Sequence, residues 1–272
     1  MKAIVYSLFR GNDPNSFSFN SYLQGFMVAL RTDILLYPDW TIVLETDYPT
    51  AAEFGSFFSK LPIVVEVNEP AALCKAMLWR MKPVFNRVYS HVICRDTDSP
   101  ATWRERQCVE YWVRSEKAAH AITDSISHTI PLMGGMIGFR PGAFYDYTGM
   151  ERWEQLFEGI SYDWNVKGTD QMLLNNKVYP FFAQPGRDSI TQHYIKGMPN
   201  TFLSDWHNEV PDMGVANEYK ESDNCCGHVG SAGYVNTAMF RFLSLYKHKF
   251  TQLLEAEKMY HNIFYWTADG TF

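Results

Sequence analysis

Two aspartates that follow a short apolar run are the residues of this chain best suited to chemistry. The run 92–94 reads Val-Ile-Cys and leads into Asp96 and Asp98, a pattern typical of a buried strand that ends in polar turn residues. Residues two apart in an extended segment point the same way, so both carboxylates can meet at the carboxyl end of the strand. Two hard oxygen donors there suit Mn²⁺ or Mg²⁺, and such a cation suits a diphosphate.

An Asp-x-Asp triplet alone is weak evidence for such a site. At this Asp content, roughly one copy is expected by chance in a chain of this length. Asp is also common in turns, where its carboxylate accepts hydrogen bonds from backbone amides. A solvated turn over 96–99 is therefore the alternative interpretation of the triplet.

Composition and charge limit the classes of protein to consider. The chain has 272 residues, 46% apolar and 20% charged, which suits a globular enzyme. Its net charge of −6 argues against a broad nucleic-acid-binding surface. No apolar run has the length of a membrane span and no signal peptide is visible, so we expect a cytoplasmic protein without a membrane span. The five cysteines lack a Cys-x-x-Cys pair, which favours reduced thiols over a structural zinc site.

The elements that must position the aspartates alternate along the first third of the chain. Repeated alternation of strand and helix predicts right-handed crossovers and a mostly parallel sheet. Neither a Gly-x-Gly-x-x-Gly after the first strand nor a Walker loop occurs, which disfavours a dinucleotide or P-loop site. The predicted strands span 2–9, 41–44, 63–67 and 88–94, and the predicted helices 19–37, 51–60 and 71–81.

Two later segments also carry polar or glycine residues suited to a site. Gly134 and Gly135 stand between apolar residues, where they allow close approach of the backbone to a ligand or form a strand bulge. Asp170 and Gln171 open a predicted helix, and Thr169 or Asp170 is also a candidate for its N-cap. Residues 208–234 read as irregular, and a final amphipathic helix is predicted from 237 to about 260.

These motifs, taken in order, resemble a family of glycosyltransferases with the GT-A fold. The resemblance covers about residues 1–179. In that fold the Asp-x-Asp pair holds a divalent cation on the diphosphate of a nucleotide-sugar donor. The matching residues are Leu78-Trp79-Arg80, Arg95-Asp96-Thr97-Asp98-Ser99, Arg104-Glu105, Val109, Trp112, Ser115, Asp124, His128, Gly134-Gly135-Met136-Ile137-Gly138 and Asp170-Gln171.

The resemblance implies an α/β fold and a role for each site residue. We expect one GT-A-like, Rossmann-related domain over 1–272, with a mostly parallel sheet flanked by helices and a helical or irregular C-terminal part. Residues 1–125 would bind the nucleotide sugar and 126–272 the acceptor. Asp96 and Asp98 would hold the metal, and Asp170 with Gln171 would serve catalysis. The predicted donor-binding residues are Tyr6, Ser7, Arg80, Arg95, Asp96, Gly134 and Gly135, although an ion pair is the alternative role for both arginines.

A second, looser resemblance concerns the run 170–175. It is similar to the Asp-Gln-Asp-x-Leu-Asn motif of the glycogenin and lipopolysaccharide galactosyltransferase group, which retains anomeric configuration and takes a third metal ligand from a late His-x-x-Gly. His228-Val229-Gly230 is one residue shorter than that motif. His228 is thus a candidate third ligand, with a surface histidine as the alternative, and retention or inversion stays open.

The expected function is metal-dependent transfer of a sugar from a nucleotide-diphosphate sugar, with UDP or GDP as the nucleotide. The acceptor could be a glycan, a protein, a small molecule or a modified nucleobase. One alternative is a phosphatase or phosphotransferase of the haloacid dehalogenase type, which would carry its Asp-x-Asp after the first strand of its core. Another is a non-catalytic module that binds glycans or sugar nucleotides. We also predict that 208–233 is a mobile lid over the donor.

Overall fold

The computed structural model describes residues 1–10, 16–123, 128–184, 187–196, 216–218 and 246–260. These residues form an α/β fold around one eight-stranded sheet. The strands are β1 (Lys2–Ser7), β2 (Thr41–Asp47), β3 (Val64–Asn68), β4 (His91–Arg95), β5 (Ala119–Thr123), β6 (Met136–Phe139), β7 (Ile190–Lys196) and β8 (Ala216–Glu218).

The helices alternate with the strands in the first half, as the sequence predicts. Shorter 3-10 segments lie at Leu78–Phe85, Trp153–Leu156, Lys247–Phe250 and Lys258–Tyr260, and a π-helical turn at Leu174–Val178. The α-helices are α1 (Ser16–Leu36), α2 (Tyr48–Phe58), α3 (Leu73–Met77), α4 (Trp103–Ser115), α5 (Pro141–Thr148), α6 (Thr169–Leu173), α7 (Tyr179–Phe182) and α8 (Thr251–Glu257).

The strand order places a change of direction beside β4. The order is β3-β2-β1-β4-β6-β5-β7-β8, so the chain winds outward from β1 to β3 and then returns to the other side of β1. Strands β1 to β4 are parallel, β6 is antiparallel to both of its neighbours, and β5, β7 and β8 are parallel to one another. The prediction of a mostly parallel α/β sheet is confirmed. The carboxyl ends of β1 and β4 meet at a topological switch point, where open α/β sheets bind ligands.

The two largest apolar clusters of the described residues cover the two faces of the sheet. On one face Ile4 and Tyr6 pack against α1, α2, α4 and α8. On the other face Ala3 and Val5 pack against the 3-10 segment Leu78–Phe85 and helices α5 to α7. This alternation along β1 follows from the period of two in a strand, and burial on both sides explains the continuous apolar run in its sequence.

Local sequence accounts for several helix boundaries. Asp47 caps α2 by accepting a hydrogen bond from the Thr50 amide at 3.0 Å, and Thr102 caps α4 in the same way through the Glu105 amide at 3.2 Å. The predicted helix 71–81 is shorter than expected. The α-helix ends at Met77, and the chain continues as the 3-10 segment Leu78–Phe85, in which Pro83 has no amide hydrogen to donate.

The C-terminal helix α8 is fixed to α1 by a buried ion pair. Arg31 Nη2 lies 2.8 and 2.6 Å from the two carboxylate oxygens of Glu257, and both side chains are fully buried. Phe250 and Leu253 add α8 and the segment before it to the apolar core. The predicted helix 237–260 is shorter in the part that is described, because 247–250 and 258–260 are 3-10, and 237–245 lies outside the described residues.

No described helix is both long enough and apolar enough to cross a membrane. Three of the five cysteines, Cys74, Cys94 and Cys108, are described; they are buried thiols that form no disulfide.

Candidate active site

Asp96 and Asp98 follow the carboxyl end of β4, at the switch point of the sheet. The amide of Ser99 donates to the carbonyl of Asp96 at 3.3 Å, so residues 96–99 form a tight turn directly after the strand. Both aspartate side chains are partly accessible, whereas Thr97 and Ser99 between and after them are buried. The turn therefore presents its two carboxylates outward and its two hydroxyl residues inward.

Arg80 links this turn to a second acidic element. Its guanidinium forms an ion pair with Asp96 through Nη1, and Nη2 lies 3.2 Å from Asp170 Oδ2. Only 4% of the Arg80 side chain is exposed. Its pKa is raised because the charges of Asp96 and Asp170 outweigh the opposing effect of burial. The Arg80 guanidinium is thus a fixed positive charge between two carboxylates.

Ser7 supports Arg80 from the end of β1. The Arg80 amide donates to Ser7 Oγ at 2.9 Å, and Ser7 Oγ donates to the carbonyl of Met77 at 3.2 Å. One hydroxyl therefore joins β1 to the start of the 3-10 segment that carries Arg80. Through these contacts, the predicted site residues Ser7, Arg80, Asp96 and Asp170 lie together.

Asp170 lies in the first turn of α6 and is nearly fully buried. The helix is capped by Gly168, which has a φ of 92° in the left-handed region, so neither Thr169 nor Asp170 is the N-cap. Burial raises the pKa of Asp170 above the ordinary value of a carboxyl group, and the ion pair with Arg80 opposes only part of that shift. Within the described part of the chain, Asp170 Oδ1 is buried without a hydrogen bond of ordinary geometry.

The paired glycines form the turn before β6 and lie against the charged groups. A Cβ at Gly134 would overlap the Arg80 guanidinium and lie 3.4 Å from Asp170 Oδ2. A Cβ at Gly135 would overlap the carboxylate of Asp96. Glycine is needed here because the backbone lies against the side chains of Arg80 and Asp96. Close approach to a ligand, the first of the two interpretations of this motif, stays a prediction. The second interpretation, a strand bulge, is not what forms, since both residues precede β6.

Negative charge is in excess at this site. Burial and the nearby charge of Asp96 raise the pKa of Asp98 to about 6, while Arg80 and Lys167 oppose the shift. Asp96, Asp98 and Asp170 thus share one buried arginine. Such a cluster favours a cation, because a positive charge relieves the repulsion between the carboxylates.

The donor set fits a hard divalent cation with an incomplete protein shell. No group of three or more His, Cys, Asp or Glu side chains among the described residues is arranged to hold a metal ion. Asp96 and Asp98 would therefore supply two carboxylates, and substrate oxygens and water would supply the rest, which is the usual arrangement for Mg²⁺ at phosphate sites. His228, the predicted third ligand, lies outside the described residues. The predicted lid 208–233 also lies outside them apart from 216–218, which form β8 at the edge of the sheet rather than an irregular segment.

Two predicted donor-binding residues lie beneath the site rather than at its surface. Tyr6 is fully buried and donates from its hydroxyl to Asp33 Oδ2 at 2.6 Å. Arg95 is 2% exposed and forms an ion pair with Glu105 of α4. Gln171 is partly exposed on α6, beside Asp170, and its carbonyl accepts a hydrogen bond from Asn175 Nδ2 at 2.8 Å.

Helix α1 adds two residues that sequence reasoning did not assign to the site. A Cβ at Gly25 would lie 2.8 Å from the Thr97 carbonyl oxygen and 3.0 Å from the Asp98 Cα, so glycine lets the helix touch the acidic turn. Tyr22, one turn earlier, is 45% exposed. Burial raises its pKa, and the charges of Asp98 and Asp96 raise it further. Tyr22 and Gly25 are three residues apart and therefore share one face of the predicted helix 19–37, which was the available signal.

Comparison with known proteins gives only distant likenesses. No family model matches the chain, and no curated protein matches its sequence. Among solved structures, it is similar to a candidate nucleotide-diphospho-sugar transferase from Desulfovibrio desulfuricans G20, with 13% identity, a TM-score of 0.46, and coverage of 71% of this chain and 79% of that one.

Two further structures show a similar degree of likeness. A 4-diphosphocytidyl-2C-methyl-D-erythritolsynthase from Anaerococcus prevotii DSM 20548 has 10% identity and a TM-score of 0.42, over 71% of this chain and 87% of that one. A candidate glucose-1-phosphate thymidylyltransferase from Bacillus anthracis, in complex with a sucrose, has 9% identity and a TM-score of 0.46, over 80% of this chain and 98% of that one.

Proposed function

We propose that this protein is a metal-dependent glycosyltransferase that moves a sugar from a nucleotide-diphosphate sugar to an acceptor. One observation carries the proposal. Asp96 and Asp98 emerge at the switch point of the sheet beside the Arg80–Asp170 ion pair, with glycine backbone against the same charged groups. Carboxylates, one arginine and open backbone at such an edge suit a diphosphate bound through a divalent cation.

Asp96 and Asp98 are the residues that would hold Mn²⁺ or Mg²⁺. When bound, the cation supplies neutralisation of the negative charge that develops on the leaving diphosphate. The two carboxylates hold and orient it from one side, which leaves the other side to the donor. The partial exposure of Asp96, whose side chain is 35% accessible, leaves room for this.

Arg80 has a different role in the proposal. Since it is almost fully buried and already paired, it fixes the relative positions of Asp96 and Asp170 and keeps its positive charge near the diphosphate. Ser7 and Gly134 maintain that geometry, Ser7 by accepting the Arg80 amide hydrogen and Gly134 by leaving room for the guanidinium. The donor-binding role expected of Arg80 is thus exerted mainly through its charge.

Asp170 is the proton acceptor of the reaction if the anomeric configuration inverts. The acceptor hydroxyl must lose its proton as it attacks the sugar, and a buried carboxylate with a raised pKa is a better base than an ordinary aspartate. Oδ2 is held by Arg80, so Oδ1 would take the proton. Because Oδ1 is buried, the residues that cover it must move for the acceptor hydroxyl to reach it. If the configuration is retained, Asp170 orients the donor instead, beside Gln171.

A panel of UDP- and GDP-sugars tests the proposal. Thermal unfolding would be followed with each donor, with and without Mn²⁺, since a ligand that binds only the folded state raises Tm. We expect one nucleotide class to stabilise the protein only when Mn²⁺ is present. Release of nucleoside diphosphate with an added glycan, protein, small-molecule or nucleobase acceptor then identifies the acceptor class. Binding without turnover of any donor would favour a binding module, and phosphate release from a monoester would favour a phosphatase.

A further inference from the structure

The Arg95 side chain is buried beneath the acidic turn, residues 96–99, that it precedes. It is the last residue of β4, and its guanidinium lies in the core between the sheet and α4. One nitrogen, Nη1, forms an ion pair with Glu105, and Nη2 donates to the carbonyl of Ser99. Because Ser99 ends the turn and Arg95 precedes it, one side chain spans the whole acidic segment.

Glu105 is itself held in place. It lies in the first turn of α4, where its amide donates to Thr102 Oγ1, and its Oε1 accepts a hydrogen bond from the Tyr37 hydroxyl at 3.4 Å. Its side chain is 3% exposed. The partner of Arg95 is thus a buried carboxylate fixed to the start of a helix.

The acidic turn is attached to α1 at two further points. The Ala101 amide donates to Thr32 Oγ1 at 3.1 Å, and Gly25 allows contact with Thr97 and Asp98. Arg95 provides the link to α4 that these contacts do not. Withdrawing its guanidinium to reach a ligand would leave Glu105 buried without its counter-charge, which is strongly unfavourable.

We propose that Arg95 is a positioning residue: through Glu105 and the Ser99 carbonyl it sets the spacing of the Asp96 and Asp98 carboxylates, rather than contacting the donor phosphates. The inference rests on the proposed function in that it treats the acidic turn as the metal site. It assigns the Arg95–Glu105 pair a role beyond stability. It also gives Arg95 a role different from the phosphate contact expected from sequence.

The chain offers a matched control for this pair. Arg31 and Glu257 form another buried Arg–Glu ion pair on the same side of the sheet, but they join α1 to α8. Loss of either carboxylate leaves a buried arginine without its partner. Only loss of Glu105 is expected to alter the acidic turn.

The experiment compares Arg95→Lys, Glu105→Gln and the control Glu257→Gln. Mn²⁺ alone is titrated into each protein and free Mn²⁺ is followed by electron paramagnetic resonance, while amide hydrogen exchange is measured for 96–101. We expect Kd for Mn²⁺ to rise about 10-fold in Arg95→Lys and Glu105→Gln, the effect typical of residues that orient metal ligands. Exchange at 96–101 should become faster in both, and Glu257→Gln should lower Tm without either effect.

Three results would overturn the inference. Unchanged Mn²⁺ affinity and unchanged amide exchange in both Arg95→Lys and Glu105→Gln would show that the turn does not depend on the Arg95–Glu105 pair. An equal loss in Glu257→Gln would show a general effect of stability. If Arg95→Lys alone binds Mn²⁺ normally but binds UDP or GDP more weakly, Arg95 contacts the donor phosphates instead of positioning the turn. If Arg95→Lys fails to fold, the milder Tyr37→Phe, which removes one hydrogen bond to Glu105, takes its place.

Failure of the proposed function is distinguishable from these results. Wild-type protein that binds no Mn²⁺ would contradict the proposed function. In that case, faster exchange at 96–101 confined to the Arg95 and Glu105 variants still supports positioning of the turn, and unchanged exchange overturns it.

Discussion

Arg80 binds Asp170 and Asp96 at once, with Nη2 at 3.2 Å from Asp170 Oδ2 and Nη1 paired with Asp96. These aspartates come from α6 and from the turn after β4, 74 residues apart in sequence by their numbering. Arg80 therefore fixes the residue proposed for catalysis relative to the residue proposed for metal binding. Such preorganisation is what a transfer reaction needs, since misplacement by about 1 Å can cost 10²-fold in rate.

Replacing Asp98 tests the metal assignment. Asp98→Asn keeps the shape of the side chain and removes one of the crowded negative charges, so the fold should be retained. We expect Kd for Mn²⁺ to rise by roughly 100-fold, the upper end of the range for residues that only orient ligands. Isothermal titration with Mn²⁺ and circular dichroism give the two readouts. Wild-type affinity in a folded Asp98→Asn protein would show that this carboxylate is not a ligand.

Adding one methyl group at Gly135 tests the close approach to Asp96. A Cβ there would overlap the carboxylate, so Gly135→Ala should displace Asp96 and cost about 1–3 kcal/mol of unfolding free energy. Metal affinity should fall with it. The control is Gly55→Ala in α2, where nothing lies within 4 Å of the added Cβ. That change should stabilise the protein by about 0.4–1 kcal/mol. Urea denaturation measures the unfolding free energy of both variants. Equal changes in Gly135→Ala and Gly55→Ala would contradict the close packing of Gly135 against Asp96.

Asp170→Asn separates binding from catalysis. If Asp170 accepts the proton of the acceptor, kcat should fall about 10²–10⁴-fold, the usual contribution of a general base. The KM for the donor should change little, because the amide keeps an oxygen near Arg80. Steady-state kinetics with the donor found in the panel provide the test. A variant with kcat near wild type would remove Asp170 from the chemical step.

Asp33 predicts a specific pH dependence of stability. Burial raises its pKa from the ordinary carboxyl value to about 7, although Arg95 and the hydrogen bond from Tyr6 oppose the shift. Below the unfolded-state pKa the group is neutral in both states and costs nothing. As pH rises from about 4 to about 7, the unfolded state ionises more readily, and stability falls by up to about 4 kcal/mol for a shift of this size.

Asp33→Asn should remove that contribution. Urea unfolding of the variant and the wild type is measured at pH 5 and pH 8. The pKa of Glu45 is also raised to about 7, mainly by burial, but Glu45 is present in both proteins, so its contribution cancels in the difference between them. The difference in unfolding free energy between variant and wild type should shift in favour of the variant at pH 8. A constant difference across this range would mean that Asp33 titrates normally in the folded protein.

Local patterns were enough to predict the framework of the site. The apolar run before Asp96 predicted β4, and the alternation of strands and helices predicted the parallel strands β1 to β4. These features depend on the period of two in strands and on short-range burial, which a sequence displays directly. The strands after β4 were less accessible to prediction, since the antiparallel insertion of β6 depends on pairing between distant segments.

The partners of the charged residues could not be predicted from the sequence. An arginine in an apolar segment is equally compatible with a ligand contact and with an internal ion pair, and only packing shows that Arg95 faces Glu105 while Arg80 faces Asp96. Tyr22 fits the apolar spacing of α1 but is half exposed beside the acidic turn, because Gly25 brings the helix against it.

The most direct test of the account is to identify which bond of the donor breaks. UDP- and GDP-sugars would be incubated with Mn²⁺, an acceptor of the class identified by turnover, and either the wild type or Asp98→Asn. Phosphorus NMR would follow the products after Mn²⁺ has been removed by a chelator. The account predicts that nucleoside diphosphate appears with Mn²⁺ and wild-type protein, and that it does not appear without Mn²⁺ or with Asp98→Asn. Nucleoside monophosphate with sugar phosphate, or nucleoside triphosphate formed on addition of pyrophosphate, would show cleavage within the diphosphate and contradict sugar transfer.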